Sequence, residues 1–231
     1  MTLKTPTPER RTSALSKEAI IAAAIEILDG QGEAALTFRA LAARLATGSG
    51  AIYWHIADKQ ALLAAATDHI IAGIAVDEIV AKEPRQAIRE FALGVFDAID
   101  THPWVGGQLS RDPWQHAVLR ILEAVGGRVQ ALGVPADAQF NVATAIMSFI
   151  LGLAGQYALG AGMCEGGIDR ATALGEIAAR WAQLDPANYP FVRLIAIQLP
   201  GHDDREQFLA GIDLLLAGIE PLRDTTPPPD D

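Results

Sequence analysis

From Leu15 to Leu222 apolar side chains return every three or four positions, and stretches alternating at every second residue are scarce. A chain patterned this way can gather its apolar groups on one side only as helices, because a strand places neighbours on opposite faces. Half of the residues are hydrophobic, with Ala and Leu, both good helix formers, in the majority. The expected fold class is all-α, and 231 residues suffice to bury a sizeable core.

Caps and breakers divide the pattern. Ser16 reads as an N-cap with Leu15 and Ile20 as a hydrophobic staple, opening a helix whose face carries Ile20, Ala24, Ile27 and Leu28 before Gly30 and Gly32. Thr37 caps a second helix to Leu45, Ala46-Thr47-Gly48 makes a turn, and a short third helix runs from Ser49 to His55. Asp58 caps a long fourth helix, with Leu62, Leu63, Ile70, Ile71 and Ile74 on its apolar side, predicted to continue until Pro84. Further helices are predicted over 85–101, after Pro103, and over 113–132, 136–163, 169–184, 191–199 and 203–222. The expected division is a mobile arm at 1–14, a three-helix head at 15–60, a helical body at 61–222 and a disordered tail at 223–231.

Charge separates head from body. Of 18 Lys/Arg and 28 Asp/Glu, residues 1–60 hold seven basic (Lys4, Arg10, Arg11, Lys17, Arg39, Arg44, Lys59) and six acidic, so the surplus of acid lies behind them. A near-neutral end on an acidic body suits a protein that offers one end to a polyanion. The lone Cys164 excludes an intramolecular disulfide and suits a reducing compartment; with no apolar leader at the N-terminus, a cytoplasmic location is expected. The stretch 140–163 is interrupted by Asn141, Gln156 and Gly/Ser residues, and reads as a helix buried within the protein rather than a membrane span.

The stretch TFRALAARLATGSGAIYWHIADKQALL, residues 37–63, sets its smallest residues directly before Tyr53, Trp54 and His55. Two short helices joined by a tight Gly-containing turn make a helix-turn-helix, whose second helix enters the DNA major groove. Ser49, Gly50 and Ala51 offer little bulk where backbone must approach the duplex. Tyr53 and His55, a turn further on, then meet the phosphate walls, and Lys59, beside the Asp58 cap, can pair with a phosphate. Arg39 is the one long donor near the groove side, suited to a bidentate contact with guanine. Trp54 is expected to be core.

These residues resemble the DNA-binding head of the tetracycline-repressor (TetR) family of bacterial transcription regulators. Ala23, Leu28, Gly32, Leu36, Thr37, Arg39, Leu41, Ala42, Leu45, Tyr53, His55, Lys59, Leu62 and Leu63 occupy the family's pattern positions. The Tyr-Trp-His triplet and the C-terminal FLAGIDLLLAGIEPL lean towards the tetracycline-repressor subgroup. The resemblance implies that Arg39 and Ser49 touch bases, that Tyr53, His55 and Lys59 hold the backbone, and that Thr37 lies close to a phosphate. It departs where Ala46-Thr47 replaces the usual Gly-Val, and where Ser49-Gly50-Ala51 replaces a polar residue and a Pro-Thr pair. The operator is therefore expected to differ from tetracycline operators.

For the body the resemblance implies dimerisation and a small-molecule pocket. The helix at 140–163, through Gly152, Gly155, Ala158 and Ala161, and the helix at 208–222, through Leu209, Ile212, Leu216 and Ile219, are the expected interface of a homodimer. Candidate pocket residues are Phe96, His102, Trp104, Trp114, His116, Phe140, Met147 and Tyr157. The subgroup's metal-binding His falls near Leu109, and its other polar drug contacts near Ala75 and Phe91, which disfavours a magnesium–tetracycline ligand. A largely apolar effector is expected, with no metal and no cofactor. The chain offers no nucleophile–His pair, carboxylate-metal set or phosphate loop, so a repressor released from a palindromic operator is favoured. The alternative is an all-helical enzyme acting on an apolar small molecule.

Overall fold

The computed structural model describes residues 15–74, 83–112, 114–163 and 170–223. Its described residues form helices and no strand, and the chain divides into two compact units, Met1–Ala66 and Thr67–Asp231. The predicted arm at 1–14, Cys164 and the tail from 224 onwards lie outside the described residues.

The first unit is built from α1 (Lys17–Gln31), a 3-10 turn at Glu33–Ala35, α2 (Phe38–Arg44), α3 (Ser49–Tyr53) and the opening of α4 (Lys59–Ala72). Each start has a chemical cause. The Ser16 hydroxyl accepts the Ala19 N–H at 3.1 Å, Thr37 Oγ1 accepts that of Ala40 at 3.1 Å, and the Asp58 carboxylate accepts that of Ala61 at 2.8 Å. Ile20, Ala24, Ile27, Leu28, Leu36, Leu41, Ile52, Leu62 and Leu63 are buried and close the small core.

Helix α4 is shorter than its sequence predicts. It ends at Ala72, where the Gly73 N–H turns back to the carbonyls of His69 and Ile70. The predicted continuation over 75–82 lies outside the described residues.

The second unit continues with α5 (Pro84–Thr101), α6 (Pro103–Arg111), α7 (His116–Ala131), α8 (Ala136–Met163), α9 (Arg170–Ala182), α10 (Pro190–Ile195), a 3-10 segment at Ala196–Gly201, α11 (Asp204–Ala217) and α12 (Glu220–Arg223). Proline at the first position of α5, α6 and α10 presets φ where no N–H partner is needed. α8 packs on α5, α6, α7 and α11. Ile88, Phe91, Val95, Ile121, Val125, Ile146 and Ile212 lie at the centre of this core.

Two expectations about the body change. Ile212, Leu216 and Ile219, predicted to form an interface stripe, are 0%, 2% and 4% exposed, because the helix turns that face into its own core. The outward stripe of α11 is instead Ala210, Leu214, Ala217 and Gly218. α8 is buried on one side only. By length and composition its window Ala136–Leu153, mean hydropathy 1.3, is apolar enough to cross a membrane. Ala143, Ile146 and Ile150 nevertheless close the core, while Asn141, Ala145, Ser148 and Gly152 form an exposed stripe of small side chains. Gly155 faces inward, towards Ser110 of α6, rather than outward, and the side chains of Ala158 and Ala161 lie outside those described.

Candidate nucleic-acid interface and body cavity

α2 ends in a Schellman arrangement. The Thr47 N–H donates to the Ala42 carbonyl at 3.0 Å and the Ala46 N–H to that of Ala43 at 3.4 Å. The geometry puts Ala46 at φ 50°, the left-handed region that crowds a Cβ. This is the turn where the resemblance leads one to expect Gly-Val and the chain has Ala46-Thr47.

After that turn, α3 is held by Ile52, which is fully buried. Ser49 and Ala51 are half-buried and Gly50 is exposed, so the front of the helix presents little bulk. Tyr53 is 56% exposed and lies flat on Phe38, with ring centroids 4.3 Å apart and planes 5° from parallel. The stack joins the two arms of the helix-turn-helix and fixes the direction of the phenol. Phe38 was not among the residues singled out from sequence; an aromatic at the first position of α2, ahead of Tyr53, was the available signal.

Trp54 is not core. It is 90% exposed, because Ile52 and Ile56 on either side take the inward direction and the helix has ended at Tyr53.

The cations of the head differ in what they are free to do. Arg44 pairs with Glu26 across α1 and α2. Lys59 donates from Nζ to the Glu33 carbonyl at 2.7 Å, pinning the start of α4 to the 3-10 turn and leaving two ammonium N–H groups. Arg39, the second residue of α2, is exposed, and its guanidinium has no partner among the described residues. His55 is exposed in the same unit, and Thr37 is exposed with its hydroxyl acting as the cap. The Glu18 carboxyl is held below the usual carboxylate range by backbone N–H at the start of α1 and by the Ser16 hydroxyl, with smaller pulls from Lys17 and His55.

A head of this composition and geometry, with a bare arginine at the front of one short helix and a low-bulk second helix, matches known proteins. Residues 20–66 fit the model of bacterial regulatory proteins of the tetR family. The transcriptional regulator SCO7222 of Streptomyces coelicolor is 50% identical, with a TM-score of 0.79 covering 90% of this chain and 99% of that one. The chain belongs to the TetR family. Like the other members it is a transcriptional regulator rather than an enzyme. An HTH-type transcriptional regulator of Saccharopolyspora erythraea is 29% identical over 109 residues, which are 47% of this chain and 46% of that protein, so the chain matches about half of that curated relative's length. BioQ in complex with its natural double-stranded DNA operator is 26% identical, with a TM-score of 0.60 covering 91% of this chain and 99% of that one.

In this TetR-family body a cavity of about 580 Å³ is lined by His69, Ile70, Glu90, Gly94, Asp97 and His102, among others. Asp97 is paired with Arg205 at 3.2 Å, a hydrogen bond and charge that raise the arginine further above its ordinary value. On α4, Asp68 does the same for Arg120 at 2.7 Å.

Of the residues singled out for a pocket, the cavity takes His102 alone. Trp104 stands edge-on to His102 at 6.2 Å and packs on the core. Phe96 and Met147 are also packed there, Phe96 at 5.1 Å from Phe208. Trp114 and Phe140 are 82% and 72% exposed, since the inward positions beside them belong to Gln115 and to Ala143 and Ile146. His116 opens α7 on its exposed side, and the Tyr157 side chain lies outside those described. His69, Glu90 and Asp97 were not legible from sequence because a polar residue on a helix ordinarily marks a solvated face.

Proposed function

We propose that the protein is a homodimeric repressor that holds a pseudo-palindromic operator through two copies of α3 and releases it when a small molecule occupies the body. One observation carries the reading: in the head, Arg44 and Lys59 are engaged internally while the Arg39 guanidinium is exposed and unpaired beside a low-bulk helix. An unpaired guanidinium at that place suits the N7/O6 edge of guanine, and the stacked Tyr53, with His55 and the remaining Lys59 donors, suits phosphates on either side.

Each head offers a small contact, so two are needed for operator affinity, and a protein two-fold axis sets two half-sites about one helical turn apart. The outward small-residue stripes of α8 and α11 allow close approach of a second copy. A role on operator DNA supports a cytoplasmic location. Release by ligand follows from linkage, since an effector that prefers a state unsuited to DNA loses the same free energy when DNA is bound, about 1–3 kcal/mol in typical cases.

The test is titration of the purified protein against duplexes from the DNA flanking its own gene, at several salt concentrations. One palindromic site should bind at least a thousandfold tighter than random duplex at the same salt. Equal affinity for all duplexes would overturn the reading.

A further inference from the structure

A second feature of the body lies on α7. Arg128 is 9% exposed, in a helix face otherwise made of Ala124, Val125, Val129 and Leu132. Its Nη1 donates to the Ala124 carbonyl at 2.5 Å, and its guanidinium carbon stands 5.6 Å from the centre of the buried Phe91 ring on α5. Nε and Nη2 are both buried and neither has a hydrogen-bond partner among the described residues. Burial lowers the guanidinium below its ordinary value, yet arginine remains charged at neutral pH.

A buried cation without an anion is costly, and native proteins pair such groups. Nε and Nη2 lie along one edge of the guanidinium, the edge whose two parallel N–H bonds fit a carboxylate bidentately. The third nitrogen is spoken for by Ala124, so the free edge has one orientation. Ala124 and Leu132, one turn before and after, are 9% and 8% exposed, so the group lies among core residues and an acid reaches its edge only when these side chains give way.

We propose that the Nε/Nη2 edge of Arg128 is the receptor for the carboxylate of an organic acid, and that the effector is a carboxylic acid with an apolar or aromatic body that lies near Phe91. This rests on the reading of the chain as a ligand-released regulator and names the chemical class of its ligand. The apolar surroundings supply affinity; the arginine edge selects acid over amide, because an amide presents one acceptor and no charge.

The experiment uses the full-length protein and four pairs of probes: benzoate, 3-phenylpropionate, 1-naphthoate and octanoate, each beside its amide. Thermal unfolding without DNA and operator titration are both read. At least one acid, at millimolar concentration, should raise the unfolding midpoint by several degrees and weaken operator binding fivefold or more, its amide doing neither. Arg128→Met should fold with an unchanged or higher midpoint and lose the response. Arg128→Lys, which keeps charge but not the two-pronged edge, should weaken it at least tenfold.

The proposal is overturned if no acid shifts the wild type, or if acids shift wild type and R128M alike. It is also overturned if R128M is destabilised while no acid acts, the pattern of a cation paired within the protein. Failure of the free protein to bind any flanking duplex would strike the regulator reading instead, and the unfolding arm tests Arg128 without DNA.

Discussion

Arg39 and Lys59 were assigned different tasks from sequence, and their surroundings give the difference a physical basis. Arg39 is exposed and has no partner among the described residues, so Arg39→Ala should leave stability unchanged, cost roughly 1–3 kcal/mol of operator binding and relax preference at one base pair. Lys59→Ala should weaken specific and random DNA alike and lower the salt slope by about one unit. It should also destabilise the protein by about 1–2 kcal/mol, through the lost bond to the Glu33 carbonyl. Competition titrations on operator variants, with urea unfolding, separate the two; equal loss on specific and random DNA for Arg39→Ala would remove it from base reading. Ala46 gives a prediction of stability alone. At φ 50° its Cβ costs about 1–2 kcal/mol, part of which glycine returns as unfolded-chain entropy. Ala46→Gly should therefore stabilise by about 0.5–1 kcal/mol, read as a higher urea midpoint with unchanged slope.

Elements were legible wherever a side chain closes its own backbone. Ser16, Thr37 and Asp58 cap the helices that sequence assigned to them, Asp203 caps α11, and Pro84, Pro103 and Pro190 open theirs. What sequence could not show was which of two apolar faces turns inward. Phe208, Ile212 and Leu216 share α11 with the exposed Leu214, and Tyr53 and Trp54 are consecutive aromatics outside the core. Such choices are made by neighbouring elements, not by local pattern. The α8–α11 contact illustrates it: Gly211 lets the Phe149 ring lie directly over the α11 backbone, within a cluster in which Phe149 and Phe208 are 5.7 Å apart. Gly211→Ala would set a methyl inside that ring and should destabilise by about 1–3 kcal/mol. Phe149→Leu should recover part of the loss in the double variant, and a calorimetric double-mutant cycle measures the coupling. Additive losses would mean that the ring moves aside without cost.

At the scale of the whole molecule the chain divides into two compact units, with α4 running from one into the other. α4 buries Leu62 and Leu63 in the head and Ile71 in the body core. The proposed dimer makes a prediction of its own. Asn141, Ala145, Ser148 and Gly152 on α8, with Ala210 and Ala217 flanking the apolar Leu214 on α11, leave outward stripes that could pack on a second copy across a two-fold axis. Leu214 is 75% exposed in the single chain and stands in the outward stripe of α11. A charge placed there costs the isolated protomer little, but a two-fold interface contains it twice, facing a like charge or an apolar wall. Ala145→Glu and Leu214→Arg should each weaken self-association at least a hundredfold while circular dichroism stays that of a folded helical protein. Operator affinity should fall with the dimer, as a lone head lacks the second half-site, and should return when protein concentration is raised above the new dimer dissociation constant. Sedimentation equilibrium in parallel with operator titration decides the matter: two variants that remain dimers at nanomolar concentration, with operator binding intact, would place the interface on other faces of the body.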